Sequence, residues 1–305
     1  MIEMSRVSKS FDGHKVLDDL SFNVAHGELV GVLGANGAGK TTLMDILCGC
    51  LGADEGQVMV GGVDIVDHPL KVGGAIGYLP DESILYEDMT VNKYLEFCGL
   101  IRGLAGPSLM RRVDAVVDLM SLEVVYHKLI RTLSKGYRQR VGIAQAMIHD
   151  PDILILDEPT EGLDPSQIAQ LREFVKSLRN RKTVLLSSHI LAEVQEICDR
   201  AIILDHGKLV GSGDIDGGGS EKQVYRLKVT FLGNLDQSIG QVPGCRVTEV
   251  SRENHEVVFS LESEEKLPGV MGIIFEGGHR LREISQYRRS LEDIFMSVTK
   301  KNGRD

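Results

Sequence analysis

The first two thirds of the chain alternate short apolar runs with stretches of helical spacing. Glu28-Leu-Val-Gly-Val-Leu33, Ile153-Leu-Ile-Leu156, Thr183-Val-Leu-Leu-Ser187 and Arg200-Ala-Ile-Ile-Leu-Asp205 are nearly continuous in apolar residues. Runs of that length and kind fit strands buried on both faces, as at the centre of a parallel sheet. Thr42-Leu-Met-Asp-Ile-Leu47 follows the first of them and reads as a helix. Ile168, Leu171, Val175 and Leu178 recur at the spacing that lines one helical face, and Asp164-Pro165 supplies that helix with an N-cap and an N1 proline. The alternation predicts an α/β domain.

Two segments depart from it. Residues of about 88–150 are mostly helical in pattern: Val113, Val116, Val117 and Met120 mark an apolar face, and Gly106-Pro107 punctuates the stretch. It reads as a helical subdomain inserted into the α/β core. Asp216-Gly-Gly-Gly-Ser220 has the composition of a flexible linker. The expected division is a first domain over 1–216, a linker at 217–220 and a small module over 221–305. In that module Val224–Phe231 alternates like a half-buried strand, and Cys245–Val250 with His255–Ser260 reads as a hairpin around Arg252-Glu-Asn254. Helical stretches near 264–275 and 290–300 bracket a further strand at 280–287. The expected module is α+β, with a ferredoxin-like arrangement as one candidate, and it carries no catalytic constellation.

The turn between the first strand and its helix carries the chemistry. Gly34-Ala-Asn36-Gly37-Ala38-Gly39-Lys40-Thr41-Thr42 has the spacing of a phosphate-binding loop. Glycines let successive backbone N–H groups curl around phosphate oxygens, and the helix that starts here aims its free amides and dipole at the same anion. Lys40 offers charge to the outer phosphates and Thr41 a hydroxyl to Mg²⁺. This predicts a nucleoside triphosphate site. The Ile153–Leu156 run ends in Asp157 and Glu158, where a parallel sheet presents its ligands. Asp157 is placed to orient Mg²⁺ through water and Glu158 to act as general base. Ser134 reads as an N-cap, and Gly136 behind it leaves a backbone N–H open to a phosphate.

Composition narrows the class. A formal charge of −10 argues against non-specific nucleic-acid binding. No apolar run approaches the ~18 residues of a membrane span, and the N-terminus has no signal-peptide core, so a membrane role is expected to run through a partner. The five cysteines are scattered without a CxxC pair, which suggests reduced thiols. Cys48 and Cys50 read as small packing residues.

Taken together, the phosphate loop at 34–42, Leu133-Ser134-Lys135-Gly136-Tyr137-Arg138-Gln139-Arg140, the Asp157-Glu158 strand, Gly162-Leu163-Asp164 and Ser187-Ser188-His189 resemble the ATP-binding subunit of ABC transporters, in that family's order over about residues 2–215. The resemblance implies a P-loop NTPase fold of ABC type: a mostly parallel core sheet, an antiparallel β subdomain and a helical subdomain, here with the C-terminal α+β module. It implies a head-to-tail pair of subunits, most simply a homodimer, sandwiching two ATP. Lys40, Thr41 and nearby amides would hold the phosphates, while Ser134 and Gly136 of the other subunit cover the γ-phosphate. His189 would contact that phosphate, Asp164 would link the two sites, and Phe11 stands where the family stacks an aromatic on adenine.

Two departures stand out. Lys135-Gly136-Tyr137 replaces the family's usual Gly-Gly-Gln, and Asp81 stands where a glutamine usually senses Mg²⁺ and the attacking water. Both, with the tail ending Ser290-Leu-Glu-Asp-Ile-Phe295, look like bacterial exporters with a separately encoded permease. The implied partner is an integral membrane permease, which would hold the chain at the inner face of the membrane, with Ile84, Leu85 and Tyr86 as contact candidates. A soluble ABC-type ATPase acting on ribosomes or DNA is the alternative class, and a P-loop phosphotransferase the third. A single phosphate loop, no heptad tract and no paired CxxC weigh against the second, and the match of Leu133–Arg140 and Gly162-Leu163-Asp164 to the ABC family against the third.

Overall fold

Strands β1 (Ile2–Phe11) and β2 (His14–Val24) open the chain as an antiparallel pair, and β3 (Leu29–Leu33) then runs into α1 (Lys40–Leu47). Strand β4 (Glu55–Val60) returns to β1, and β5 (Val63–Asp64) completes a four-stranded antiparallel sheet in the order β2-β1-β4-β5. This computed structural model describes residues 2–82, 84–215, 225–231, 245–251, 256–261, 271–272 and 281–286.

The second sheet is the scaffold of the site. It adds β6 (Ile76–Leu79), β7 (Ile153–Leu156), β8 (Thr183–Ser188), β9 (Arg200–Asp205) and β10 (Lys208–Asp214) to β3, in the order β10-β9-β3-β8-β7-β6. All pairs from β9 to β6 are parallel, and only the edge pair β10–β9 is antiparallel. Every residue of β3, β7 and β8 is buried, which is why these strands read as unbroken apolar runs rather than as alternation. Helix α1 buries Leu43, Met44, Ile46 and Leu47 in a core shared with Ile2, Leu20 and Val58 of the antiparallel sheet. Each such fully buried aliphatic side chain contributes about 1.5–3 kcal/mol. Cys48 packs against that core, but Cys50 is exposed, so the expectation of a packing role fails for Cys50. Past the helix end the Cys50 side chain is exposed, while Leu51 and Ala53 return to the core.

Helix α2 (Pro69–Ala75) precedes β6. Helices α3 (Val91–Ile101), α4 (Gly106–Met120) and α5 (Lys135–Met147) occupy the stretch read as helical and pack on one another. Val113, Val116, Val117 and Met120 form the buried face of α4. Helix α6 (Pro165–Ser177) starts with a full capping box: the Asp164 carboxylate accepts from Ser166 N and Gln167 N, each at 3.0 Å, and Gln167 Oε1 accepts from Asp164 N. Helix α7 (Leu191–Ile197) follows β8.

Gly217–Ile294 form a second compact unit. Within it β11 (Tyr225–Phe231), β12 (Cys245–Ser251), β13 (Glu256–Leu261) and β14 (Leu281–Gln286) form an antiparallel sheet in the order β12-β13-β11-β14. That order, with the expected β12–β13 hairpin, is the strand arrangement of a ferredoxin-like unit. The helices expected near 264–275 and 290–300 lie largely outside the described residues.

Candidate functional site

Three adjacent parallel strands, β3, β8 and β7, end on one edge of the sheet, with Leu33 opposite Ser188 and Leu156 opposite Leu186. That register fixes which side chains meet. The phosphate loop leaves β3, the Asp157-Glu158 pair leaves β7, and Ser187-Ser188-His189 leaves β8 between them.

Glycines shape the loop for two reasons. Gly39 has φ +104°, and a Cβ there would lie 2.7 Å from Leu17 Cδ2. A Cβ on Gly34 would lie 2.8 Å from the Leu204 carbonyl oxygen. Ala38 is buried beneath the loop, whereas Asn36 and Gly37 are exposed at its tip. Helix α1 begins without a side-chain cap and without an acidic residue in its first turn, so its first amides and dipole are available to an anion. Thr41 and Thr42 follow in that turn.

Lys40 is 6% exposed and folds back over the loop: Nζ donates to Gly34 O at 2.8 Å and Ala35 O at 3.3 Å, and lies 3.1 Å from Glu158 Oε1. The other Glu158 oxygen, Oε2, is 2.9 Å from His189 Nδ1. Glu158 itself has φ +44°, an uncommon backbone for a non-glycine residue. The Ser187 hydroxyl bridges the two acids, accepting from Glu158 N at 2.7 Å and donating to Asp157 Oδ1 at 2.5 Å. Asp157 is fully buried, and its Oδ2 has no hydrogen-bond partner. Burial pushes its carboxyl above the usual range. The hydroxyls of Ser187 and Thr41 offset part of this, and the charges of Asp81 and Glu158 add to it.

Asp81 follows β6 and shares a cleft of about 350 Å³ with Glu158, Gln139, Lys135 and Arg138. The start of α5 therefore shares this cleft with Glu158 of the same chain. Ser134 caps α5, its Oγ accepting from Tyr137 N at 3.4 Å. Gly136 is buried, and a Cβ there would meet the Gln167 side chain at 2.3–2.5 Å. Its missing side chain thus makes room for Gln167, a packing reason beyond the open amide expected from sequence. Gly162 is crowded in the same way by Lys135 Nζ, at 2.2 Å from an added Cβ. Asp164 is engaged as the α6 cap. Phe11 closes β1 with its ring 45% exposed and Lys9 Nζ 5.5 Å from the centroid.

The structure thus brings Lys40, Asp157, Glu158 and His189 together. It holds Ser134, Gly136 and Asp164 in a second cluster around the α5 and α6 N-termini. Of the loop after β6, Ile84 is 85% exposed, Leu85 is half-buried, and Tyr86 rests its ring on Tyr94 and Phe97. Sequence reasoning gave no role to Gln139, whose Nε2 donates to Pro159 O at 3.0 Å, nor to Glu193, which is buried. A glutamate on the same helical face as Ile197 is the signal that was present for the second.

A phosphate loop at the end of a parallel sheet, with a cation and paired carboxylates converging on it, defines a P-loop nucleoside triphosphatase. The chain belongs to the family of ABC transporter ATP-binding proteins and is an ATPase: the ABC transporter family model matches residues 17–161. An uncharacterized ABC transporter ATP-binding protein of Bacillus subtilis, YhcH, is 33% identical over 98% of this chain and 96% of its own. The daunorubicin resistance ATP-binding protein DrrA3 of Streptomyces coeruleorubidus is 32% identical over 98% of this chain and 95% of its own. A solved structure described as the ATP-binding subunit of an ABC transporter superposes with a TM-score of 0.65 at 31% identity, covering 71% of this chain and 90% of that one. Among the described residues no helix is long and apolar enough to cross a membrane.

Proposed function

We propose that two copies of this chain close around two ATP molecules and drive a separately encoded membrane permease in the direction of export. The observation that carries the catalytic part is the cluster in which buried Lys40 and Glu158 and the more exposed His189 are linked by contacts of 3.1 and 2.9 Å beside Asp157. In this reading Lys40, Thr41, Thr42 and the amides of Gly34, Asn36, Gly37, Ala38 and Gly39 bind the phosphates, and the exposed Phe11 ring receives the adenine. Glu158 takes the proton of the attacking water, and His189, already hydrogen-bonded to Glu158, orients that water against the γ-phosphate. Ser134 and Gly136 of the second copy cover the γ-phosphate, and Asp164 joins the two sites.

Mg²⁺ fits the same cluster. The partnerless Oδ2 of Asp157 beside the Thr41 hydroxyl is the sparse oxygen set that such an ion uses when phosphates and water supply the rest. Asp81 would reach it through water. When bound, the ion would neutralise charge on the β- and γ-phosphates.

The exposed Ile84 and Tyr86 support a permease contact on the loop after β6, and with it a place at the inner face of the membrane. The drug-resistance role named for the Streptomyces relative supports export. The domain over 1–216 would be the motor. After the linker at 217–220, the module over 221–305 would be an accessory to it.

The test is to purify tagged Glu158→Gln protein with ATP from detergent-solubilised host membranes and identify what accompanies it by mass spectrometry. A stoichiometric multi-span protein is the expected result. Ribosomal proteins or nucleic acid without a membrane protein would overturn the permease reading in favour of a soluble ATPase.

A further inference from the structure

Glu193 is a carboxylate on a helix face that should be apolar. It stands in the first turn of α7, whose buried residues are Glu193, Val194 and Ile197, and it is 4% exposed. A buried carboxylate is costly unless its oxygens are satisfied. Among the described residues Glu193 forms no ion pair, and two hydroxyls converge on its Oε2. Thr160 Oγ1 donates at 2.6 Å and Ser188 Oγ at 3.1 Å. Thr160 lies two residues beyond Glu158, and Ser188 immediately precedes His189. The Ser188 hydroxyl also accepts from Ile190 N at 3.0 Å, which closes the backbone around His189.

We infer that Glu193 is a positioning residue for ATP hydrolysis: its buried carboxylate ties the segment that follows Glu158 to the segment that carries His189, and so sets the Glu158–His189 pair. The inference rests on the reading of Glu158 as general base. Two strand ends in neighbouring positions of a sheet do not by themselves fix the side chains beyond them. Glu158 holds a positive φ that surrounding structure must enforce, and His189 is 44% exposed with its Nδ1 contact to Glu158 at 2.9 Å. Ser187 supplies one restraint, through Glu158 N and Asp157 Oδ1. Glu193 supplies the second, from the far side of both loops. Its carboxylate hydrogen bonds run to the β7 and β8 ends rather than to the amides of its own helix, which separates this role from simple helix capping.

The experiment measures steady-state ATPase kinetics and fluorescent-nucleotide affinity for Glu193→Leu, Glu193→Gln, Thr160→Val and Ser188→Ala in the full chain. Loss of the tie should lower kcat about 10- to 100-fold in Glu193→Leu and leave nucleotide affinity within about twofold, because the phosphate loop is untouched. Glu193→Gln keeps an acceptor oxygen and should restore most of kcat. Thr160→Val and Ser188→Ala each remove one donor without altering Glu193, so they test the tie even where Glu193→Leu fails to fold. They should lower kcat in the same direction.

Glu158→Gln is measured alongside. If Glu158→Gln stalls hydrolysis while Thr160→Val and Ser188→Ala leave kcat unchanged, the positioning role is wrong and the base survives. If Glu158→Gln turns over normally, the base reading fails, whatever the Glu193 variants do. A fall in nucleotide affinity that matches the fall in kcat would assign Glu193 to packing alone and overturn the inference.

Discussion

Lys40 Nζ lies 3.1 Å from Glu158 Oε1, with 6% and 9% of the two side chains exposed. The cation meant for phosphate and the carboxylate meant for water therefore neutralise each other. Removing one partner of such a buried pair strands the other charge. Lys40→Met should destabilise the nucleotide-free protein by about 3 kcal/mol, and adding Glu158→Gln should recover much of that loss. Denaturation midpoints of the two single variants and the double variant check it. Additive losses would mean that the two side chains do not sustain one another.

Glu158→Gln should keep ATP binding and lower turnover about 10²- to 10⁴-fold, the range of a positioned general base. With hydrolysis stalled, the ATP-bound pair of chains should persist on size exclusion with light scattering. A hydrolysis rate close to that of the unsubstituted protein would remove Glu158 from the base role.

Much of this architecture was legible because it depends on local pattern. The buried strands β3, β7, β8 and β9 announce themselves as unbroken apolar runs, and Asp164-Pro165 announces the start of α6. The phosphate loop is recognisable because its spacing is itself the geometry. The Lys40–Glu158 contact and the Thr160–Glu193–Ser188 cluster were not legible, since they join segments far apart in sequence through the lateral order of the strands. Gly136 shows the same limit. Its pattern suggested an open amide, whereas its crowding by Gln167 depends on how α6 approaches α5.

Gly39→Ala should be damaging beyond its small size. The residue sits at φ +104°, and an added Cβ would lie 2.7 Å from Leu17 Cδ2 and 3.0 Å from Val16 O. Strain and overpacking together should cost about 2–4 kcal/mol, and the distorted loop should lose nucleotide affinity. Thermal denaturation and nucleotide titration measure both. Unchanged affinity would mean that the loop tolerates a side chain there.

Asp81→Gln removes one of the negative charges that hold the Asp157 carboxyl above its usual range. The Asp157 anion should then form at lower pH, and the acid limb of the ATPase pH profile should move down accordingly. The Mg²⁺ concentration for half-maximal activity should change as well. If both the pH profile and the Mg²⁺ dependence stay where they were, Asp81 does not sense the metal site.

His149 gives a prediction outside the site. It follows α5 in the chain, and its ring meets the start of β6, with Nε2 3.1 Å from Ile76 O and Nδ1 buried without a partner. Burial first, then the positive charges of Arg102, Arg112 and Lys182, hold it down to about 4, against an ordinary value of 6.5. The folded chain thus binds fewer protons than the unfolded chain between those two values, so stability rises with pH across that window. The contribution is complete above 6.5 and is lost as pH falls through about 4. Because the ring is only partly buried, the total should be about 1–2 kcal/mol. His149→Gln keeps a donor for Ile76 O and does not titrate, so its denaturation midpoint should fall less steeply than that of the unsubstituted protein between pH 6.5 and 4. Ion pairs such as Asp150 with Lys182 hold their carboxyl below its ordinary value of 3.8 and weaken only at pH below this window, alike in both proteins, so the difference between the two curves isolates the histidine. Parallel curves across the window would show that His149 is as easily protonated in the folded chain as in the unfolded one.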